Sequence, residues 1–113
     1  MKTVEYTKDE NGLIVGIKVD GKAVKAGSMR GFKKAQTAVY WTEITEPETV
    51  ENRFSGKKVE LTALEATIYN FCNEWYRRYS NNPTHLALPI QTYDDMKYFL
   101  MELNPRAYYD LMD

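Results

Sequence analysis

Large apolar residues recur at helical spacing in the second half of the chain. They are separated by four, three, four and four positions, which places them on one stripe of a helix. The stripe consists of Leu64, Ile68, Phe71, Trp75 and Tyr79. At the start of the stripe, Thr62 and Glu65 form a T-x-x-E capping box, in which each side chain accepts a hydrogen bond from a free backbone N–H. The pattern therefore predicts a helix between Thr62 and about Ser80.

Two more helices are predicted after this one. Asn81-Asn82-Pro83 ends the first helix, and Pro83–Gln91 is predicted to be a loop. A second helix is predicted to be capped by Thr92, and Asn104-Pro105 ends it. Its apolar stripe consists of Tyr93, Met96, Phe99, Leu100 and Leu103. Because Pro fits the first helical position, Asn104 is expected to cap a terminal helix over Pro105–Met112.

The first half of the chain shows the alternation that is typical of strands. Leu13, Val15, Ile17 and Val19 alternate with Ile14, Gly16 and Lys18, which predicts one clearly apolar strand face. Asp20-Gly21 is a preferred pair for a two-residue hairpin turn. With Lys2–Thr7 before this strand and Lys22–Val24 after it, the pattern predicts a three-stranded antiparallel meander.

The middle of the chain is less regular. Gly27 and Gly31 interrupt any period, so Ala26–Gln36 is predicted to be a loop with at most a short helical turn. Thr37–Ile44 is rich in β-branched and aromatic residues and is predicted to be a strand. Thr45–Gly56 is interpreted as a connection, and Lys57–Leu61 as a last strand.

The order of these elements predicts an α+β fold in a single domain of 113 residues. Residues 1–61 are expected to be mainly β and residues 62–113 mainly α. An N-terminal antiparallel sheet, made of the meander and one or two further strands, would pack against two or three C-terminal helices. This arrangement requires Trp75 and Phe99 to be buried.

Composition excludes several classes of protein. The formal net charge of -1 gives no whole-molecule attraction to nucleic acid or to anionic membranes. We expect no signal peptide and no membrane span, and therefore a cytoplasmic location. The single cysteine, Cys72, is expected to be buried and permits no internal disulfide. With His85 as the one histidine, no metal site or cofactor site is predicted.

Charge is unevenly distributed along the chain. The segment Lys18–Lys34 is basic, whereas Glu43–Glu51 contains four glutamates and no basic residue. These blocks either pair across the fold or face different partners. The nucleic-acid candidates are Lys22, Lys25, Arg30, Phe32, Lys33 and Lys34, with Phe32 expected to stack on a base. Arg30-Gly31-Phe32 matches the start of an RNA-recognition signature, but Lys33 and Lys34 depart from it.

The acidic side chains of the second predicted helix raise the question of catalysis. Asp95 and Glu102 are expected to lie on the face opposite the apolar stripe. Paired carboxylates can bind a cation or transfer protons, but a charged outer face is usual for an amphipathic helix. The sequence therefore favours a non-enzymatic protein. An enzyme or small-ligand binder with a site gathered from distant positions stays an alternative.

Four residues on the predicted helices miss the apolar stripes although they are large and partly apolar. They are Tyr69, Tyr76, Tyr98 and Met101. Tyr and Met are enriched at protein–protein contacts, although a neighbouring helix can also cover such residues. We therefore predict that these four residues contact another protein or a second copy of the chain.

The helical half resembles a known group of proteins in the way its helices follow one another along the sequence. The run L-T-A-L-E-A-T-I-Y-N-F-C-N-E-W-Y-R-R-Y, followed by Q-T-Y-D-D-M-K-Y-F-L and L-N-P-R-A-Y-Y-D-L-M-D, is similar to small accessory proteins of tailed bacteriophages. The resemblance covers residues 61–113 and implies expression in the cytoplasm of a bacterial host. The expected function is a protein-interaction module that binds a partner surface, with nucleic-acid binding through residues 18–34 as the alternative.

Overall fold

The computed structural model describes residues 3–52, 54–81 and 88–112. The elements are β1 (Val4–Lys8), β2 (Ile14–Val19), β3 (Lys22–Ala23), α1 (Ala26–Ala35), β4 (Glu48–Glu51), β5 (Lys58–Leu61), α2 (Ala63–Asn81), α3 (Ile90–Leu103) and α4 (Pro105–Leu111). The predicted α+β class is confirmed. Across the described ranges, β1–β3 form an antiparallel sheet, β4 and β5 form a second small sheet, and three of the four helices are C-terminal.

The predicted meander is confirmed, and its turns follow from local chemistry. Asp20 and Gly21 both have positive φ, of 53° and 81°, as the predicted two-residue hairpin turn requires. In the preceding turn, the Asp9 carboxylate accepts hydrogen bonds from the backbone N–H groups of Asn11 and Leu13. The order β1-β2-β3 places β2 in the centre of the sheet.

A bulge changes which residues of β2 are buried. Thr7 pairs with Gly16 but Lys8 pairs with Ile14, so Val15 is the extra residue of this strand. The alternation is therefore shifted by one position before Gly16. Ile14 is 1% exposed, whereas Leu13, which was predicted to lie on the apolar face, is 39% exposed.

The prediction of a loop over Ala26–Gln36 is wrong, because this segment contains the ten-residue helix α1. Its buried face consists of Ser28, Gly31, Phe32 and Ala35. Glycine lowers helix propensity, but at Gly31 the missing side chain lets α1 approach α3. A Cβ atom on Gly31 would lie 2.4 Å from the Cβ of Asp95. The glycine that suggested a loop is thus explained by close helix packing.

The predicted strand over Thr37–Ile44 is also wrong, since this segment forms turns and irregular backbone. Its aromatic residues pack into the core instead of pairing in a sheet. The Trp41 ring lies 5.1 Å from Phe32, and the Tyr40 ring stacks on Phe71 at 5.8 Å between centroids. The predicted connection after it contains β4, which pairs with the predicted strand β5 from Glu48↔Leu61 to Glu51↔Lys58.

The caps of the C-terminal helices are largely as predicted. In the capping box, Thr62 N donates to Glu65 Oε1 and Glu65 N donates to Thr62 Oγ1. Asn104 caps α4 by accepting from Ala107 N, and its amide also donates to Glu65. The predicted start of α3 at Thr92 is wrong, because α3 begins at Ile90 and Thr92 is buried within it. Residues 83–87 of the predicted loop lie outside the described residues.

The main hydrophobic core is built by residues from both halves of the chain. Trp75 and Phe99 are 2% and 0% exposed, as the predicted arrangement requires. The sheet contributes Ile14 and Ile17, while α3 contacts all three other helices. Helix-to-helix packing is therefore more extensive than the predicted packing of helices on a sheet. No helix in the described part of the chain is sufficiently long and apolar to cross a membrane.

Candidate functional site

The four residues predicted to contact a partner divide between two grooves. Tyr69 and Tyr76 line a groove of about 710 Å³ between α2, α3, α4 and the turn that joins β4 to β5. We call this the aromatic groove, and its apolar lining is Phe54, Tyr69, Tyr76, Tyr93, Leu111 and Met112. Tyr98 and Met101 line a different groove, of about 460 Å³, between α1 and α3. The predicted contact residues therefore do not form one surface.

Phe54 is presented to the aromatic groove by the turn between β4 and β5. Asn52 organises this turn, because its Oδ1 accepts hydrogen bonds from the backbone N–H groups of Phe54 and Ser55. The amide group of Asn52 donates to the carbonyl of Asp110 at 2.6 Å, which ties the turn to α4. The side chain of Phe54 is nevertheless 89% exposed. A large aromatic ring is thus held at the surface on an anchored turn.

An aromatic stack connects the groove with the core. Trp75 lies between Tyr79 and Tyr93, with centroid distances of 4.9 and 4.5 Å, and its indole N–H donates to the Leu88 carbonyl. Tyr76 lies 6.4 Å from Tyr93 and is 58% exposed. Burial raises the pKa of Tyr93 to about 12, so its hydroxyl stays protonated at neutral pH. The aromatic wall of the groove is therefore uncharged, and Tyr93 in this wall packs against the buried ring of Trp75.

Polar side chains of α2 form the other wall of the aromatic groove. Asn73, Ser80 and Asn81 line it, and none of these side chains forms a hydrogen bond within the described part of the chain. Arg77 also lines it, but its guanidinium is 2.6 Å from Glu74 Oε2. The groove thus combines an aromatic surface with free amide and hydroxyl groups.

Cys72 also lines the aromatic groove, and the prediction that it is buried is confirmed. Its side chain is 1% exposed. Burial raises the pKa of the thiol, so the nucleophilic thiolate form is suppressed at neutral pH. Cys72 therefore serves as packing and not as a reactive group.

The carboxylates of α3 do not face solvent as expected for its outer face. Asp95 accepts from Arg30 Nε and Nη2, both at 3.1 Å, and from the Gln91 amide at 2.9 Å. Glu102 accepts from the Ser28 hydroxyl at 2.6 Å and from Lys25 N at 3.2 Å. Glu102 therefore binds, from another helix, the residue that precedes α1 and a side chain of its first turn. Both acids join α1 to α3.

The nucleic-acid candidates are also separated by the fold. Arg30, Lys33 and Lys34 line a shallow groove, whereas Lys25 lines the groove of Tyr98 and Lys22 lies on β3. The expectation that Phe32 stacks on a base is wrong, because its ring is 1% exposed. The hydrogen bonds to Asp95 raise the pKa of Arg30, whose charge is already paired.

Metal ligation and similarity to known proteins add no further assignment. Within residues 3–52, 54–81 and 88–112, no group of three or more His, Cys, Asp or Glu side chains is placed to hold a metal ion. His85 lies outside these ranges. The chain gives no match to a protein-family model, to a curated protein or to a solved structure.

Proposed function

We propose that this chain is a non-enzymatic protein-interaction module whose aromatic groove binds a segment of another polypeptide. The observation that carries the proposal is the convergence of Tyr69 and Tyr76 with Phe54, which come from distant parts of the sequence, on one groove. Phe54 and Tyr76 keep 89% and 58% of their side chains exposed. Exposed aromatic groups of this kind supply much of the binding energy at protein contacts.

The chemistry of the groove favours a polypeptide as its ligand. A peptide segment has apolar side chains that an aromatic surface can cover, and backbone groups that need hydrogen-bond partners. Asn73, Ser80 and Asn81 offer such partners beside the aromatic wall. Among the described residues of the lining, Arg77 alone has a formal charge at neutral pH, and that charge is paired with Glu74. The described lining therefore offers a strongly charged ligand no unpaired complementary charge.

The alternative functions have less support. Nucleic-acid binding through Lys22, Lys25, Arg30, Lys33 and Lys34 has no exposed aromatic group at Phe32 for stacking, and Arg30 is paired with Asp95. A small-ligand site fits the groove volume. However, a catalytic role would need an acid, base or nucleophile in the groove, and the Cys72 thiol is protonated there.

The resemblance to phage accessory proteins suggests where the partner is found. Under this proposal the chain acts in the cytoplasm of a bacterial host, and the segment that it binds belongs to a host protein or a phage protein. A module without a catalytic group acts by occupying a surface. The role would therefore depend on affinity and on the identity of the partner.

A photocrosslinking experiment tests the proposal at two matched positions. Tyr76 and Tyr109 are the same residue type and are equally exposed, at 58%, but only Tyr76 lines the aromatic groove. A photoreactive phenylalanine analogue at position 76 should give a discrete protein adduct in the expressing cells, whereas the analogue at position 109 should not. Equal adducts at both positions, or none at position 76, would contradict the proposal.

The captured partner then allows a quantitative test with purified proteins. Tyr76→Ala should weaken binding at least about tenfold, because truncation of a central aromatic contact costs about 1–2 kcal/mol. Tyr109→Ala should leave affinity within about twofold. Both residues are exposed, so each variant should keep its free energy of unfolding within about 0.5 kcal/mol. Equal affinities for the two variants would exclude the aromatic groove as the binding surface.

A further inference from the structure

Two segments of opposite charge are exposed on the described surface. The first is the shallow groove beside α1, which we call the basic face; its lining includes Val15, Val24, Met29, Arg30, Lys33 and Lys34. The second is the acidic segment, defined by Glu43, Glu46, Glu48 and Glu51, all of which are exposed. The sequence allowed these blocks to pair across the fold. Among the described residues, no ion pair joins them.

The basic face has an apolar floor and a cationic rim. Val15, Val24 and Met29 are partly buried and form the floor, while Lys33 and Lys34 are exposed. The groove has a volume of about 720 Å³, and no acidic residue occurs among the described residues that line it. Arg30 belongs to the lining, but its guanidinium is paired with Asp95. Lys33 and Lys34 therefore carry the uncompensated charge of this face.

The acidic segment has the complementary properties. Glu48 and Glu51 lie at the two ends of β4. In the described sheet, β4 pairs with β5 along one edge, and its other edge has no strand partner. Val50 is partly buried, whereas Glu48 and Glu51 on the same strand are exposed. Pro47 is also exposed and provides an apolar group among the carboxylates. An extended, negatively charged strand of this kind suits a shallow groove with lysines at its rim.

We propose that the basic face binds the acidic segment of a second copy of this chain. The contact joins two different surfaces, so we describe it as head-to-tail, and a pair keeps one unused surface of each kind, the acidic segment of one copy and the basic face of the other. Assembly then continues to larger species or closes into a ring. The net charge of -1 allows this, because whole-molecule repulsion between copies is small.

The observations favour a second copy over a nucleic acid. Proteins that bind single-stranded nucleic acids combine a basic groove with aromatic side chains on which bases stack, and the described residues that line the basic face include no aromatic residue. Two unpaired lysines also provide few phosphate contacts, whereas nucleic-acid affinity increases with the number of such contacts. The chain itself supplies a complementary acidic surface with four carboxylates.

Sedimentation velocity at two salt concentrations tests the proposal. In about 20 mM NaCl, the average mass should rise above the monomer mass of 13.2 kDa as protein concentration increases. In about 500 mM NaCl it should return to the monomer mass, because exposed charge pairs are screened. A monomer at low salt, at concentrations up to about 1 mM, would overturn the proposal, since a weaker contact is not a specific interface.

Two variants identify the surfaces involved. Lys33→Gln/Lys34→Gln removes the cationic rim, and changing the four glutamates to glutamine removes the acidic segment. Each variant alone should stay monomeric at low salt, with an association constant at least about tenfold below that of the unmodified chain. An equimolar mixture retains one intact contact, so it should form a heterodimer and no larger species. Growth of the mixture beyond two chains would overturn the head-to-tail arrangement.

A matched control separates this contact from a general effect of charge. Lys8→Gln/Lys18→Gln makes the same change of charge at two exposed lysines that line neither the basic face nor the acidic segment. This variant should associate like the unmodified chain, and an equal loss would contradict the proposal. If the unmodified chain is monomeric and binds a labelled oligonucleotide through Lys33 and Lys34, the basic face is a nucleic-acid surface instead. None of the variants alters the aromatic groove, so either outcome leaves the proposed function to its own test.

Discussion

The two sides of α3 differ in how many of their side chains are paired or covered by other parts of the protein. On the side of α1, Asp95 and Glu102 receive five hydrogen bonds. Gly31 on α1 also allows the two helices to approach closely. On the side of the aromatic groove, Tyr93 is supported by Trp75, but the neighbouring Tyr76 stays 58% exposed.

This difference indicates which side maintains the fold and which side is available for binding. At the α1–α3 contact the carboxylates of Asp95 and Glu102 are already hydrogen-bonded, so a ligand that used them would break internal contacts, although Tyr98 in the groove on this side is 55% exposed. The aromatic groove exposes apolar surface beside the unbonded amide groups of Asn73 and Asn81. A partner can cover these groups without breaking internal contacts. Residues on the two sides should therefore respond differently to mutation.

The largest effect on stability is expected at Gly31. In Gly31→Ala the new Cβ would lie 2.4 Å from the Asp95 Cβ, and backbone atoms of Asp95 lie 3.4 and 3.5 Å away. The helices must move apart, so the free energy of unfolding should fall by about 2 kcal/mol, within the usual range for overpacking. Urea denaturation followed by circular dichroism measures this change.

Gly27→Ala is the matched control on the same helix. A Cβ at Gly27 would meet the Arg30 guanidinium at 3.6 Å, which is an ordinary contact. Because alanine favours helix over glycine, the free energy of unfolding should stay unchanged or rise by up to about 1 kcal/mol. If both substitutions destabilise the protein equally, the close approach of α1 and α3 is not the reason for glycine at position 31.

A smaller loss is expected when the ion pair between the same helices is removed. Asp95→Ala keeps the Cβ atom but eliminates the contacts with Arg30 and Gln91. The Arg30 side chain is 66% exposed and regains water, so the free energy of unfolding should fall by only about 1 kcal/mol. The control Asp94→Ala removes a neighbouring carboxylate that has no hydrogen bond in the described chain. Equal losses in the two variants would show that the Asp95 contacts do not stabilise the fold.

Local sequence signals predicted the elements whose structure depends on neighbouring residues. Thr62 and Glu65 carry the complete capping box, and Asp20-Gly21 determines its turn through its own backbone preference. The stripe of α2 also placed Trp75 in the core. For the cap and the turn the residues that form the contact lie within a few positions of one another, and the stripe is a periodicity within one helix. Such elements can be predicted without knowledge of the remaining chain.

Elements that depend on distant contacts were not predicted. Gly31 favours a loop by local propensity, but α3, more than fifty residues later, provides the surface that makes a helix stable there. Tyr40 and Trp41 have high strand propensity, yet their rings are buried against Phe71 on α2. The bulge at Val15 likewise appears only through pairing with β1. Tertiary packing overrides local preference at all three places.

The candidate site was predicted in part. The positions of Tyr69 and Tyr76 follow from helical periodicity, which placed both outside the apolar stripe. Tyr98 and Met101 satisfied the same criterion, but by that periodicity Tyr98 points roughly 140° away from Tyr93 around α3, toward another groove. Phe54 was not predicted, because the Asn52 side chain that organises its turn is anchored to α4.

The methionine methyl groups provide the most direct test of the assignment of surfaces. Met112 lines the aromatic groove, Met101 lines the groove between α1 and α3, Met29 lies on the basic face, and Met96 is buried in the core. In a carbon-13 methyl NMR titration with the captured partner, the Met112 signal should shift while those of Met96 and Met101 stay in place. A shift of Met101 with Met112 unchanged would contradict the account, because the partner would then bind the side of α3 that we assign to stability.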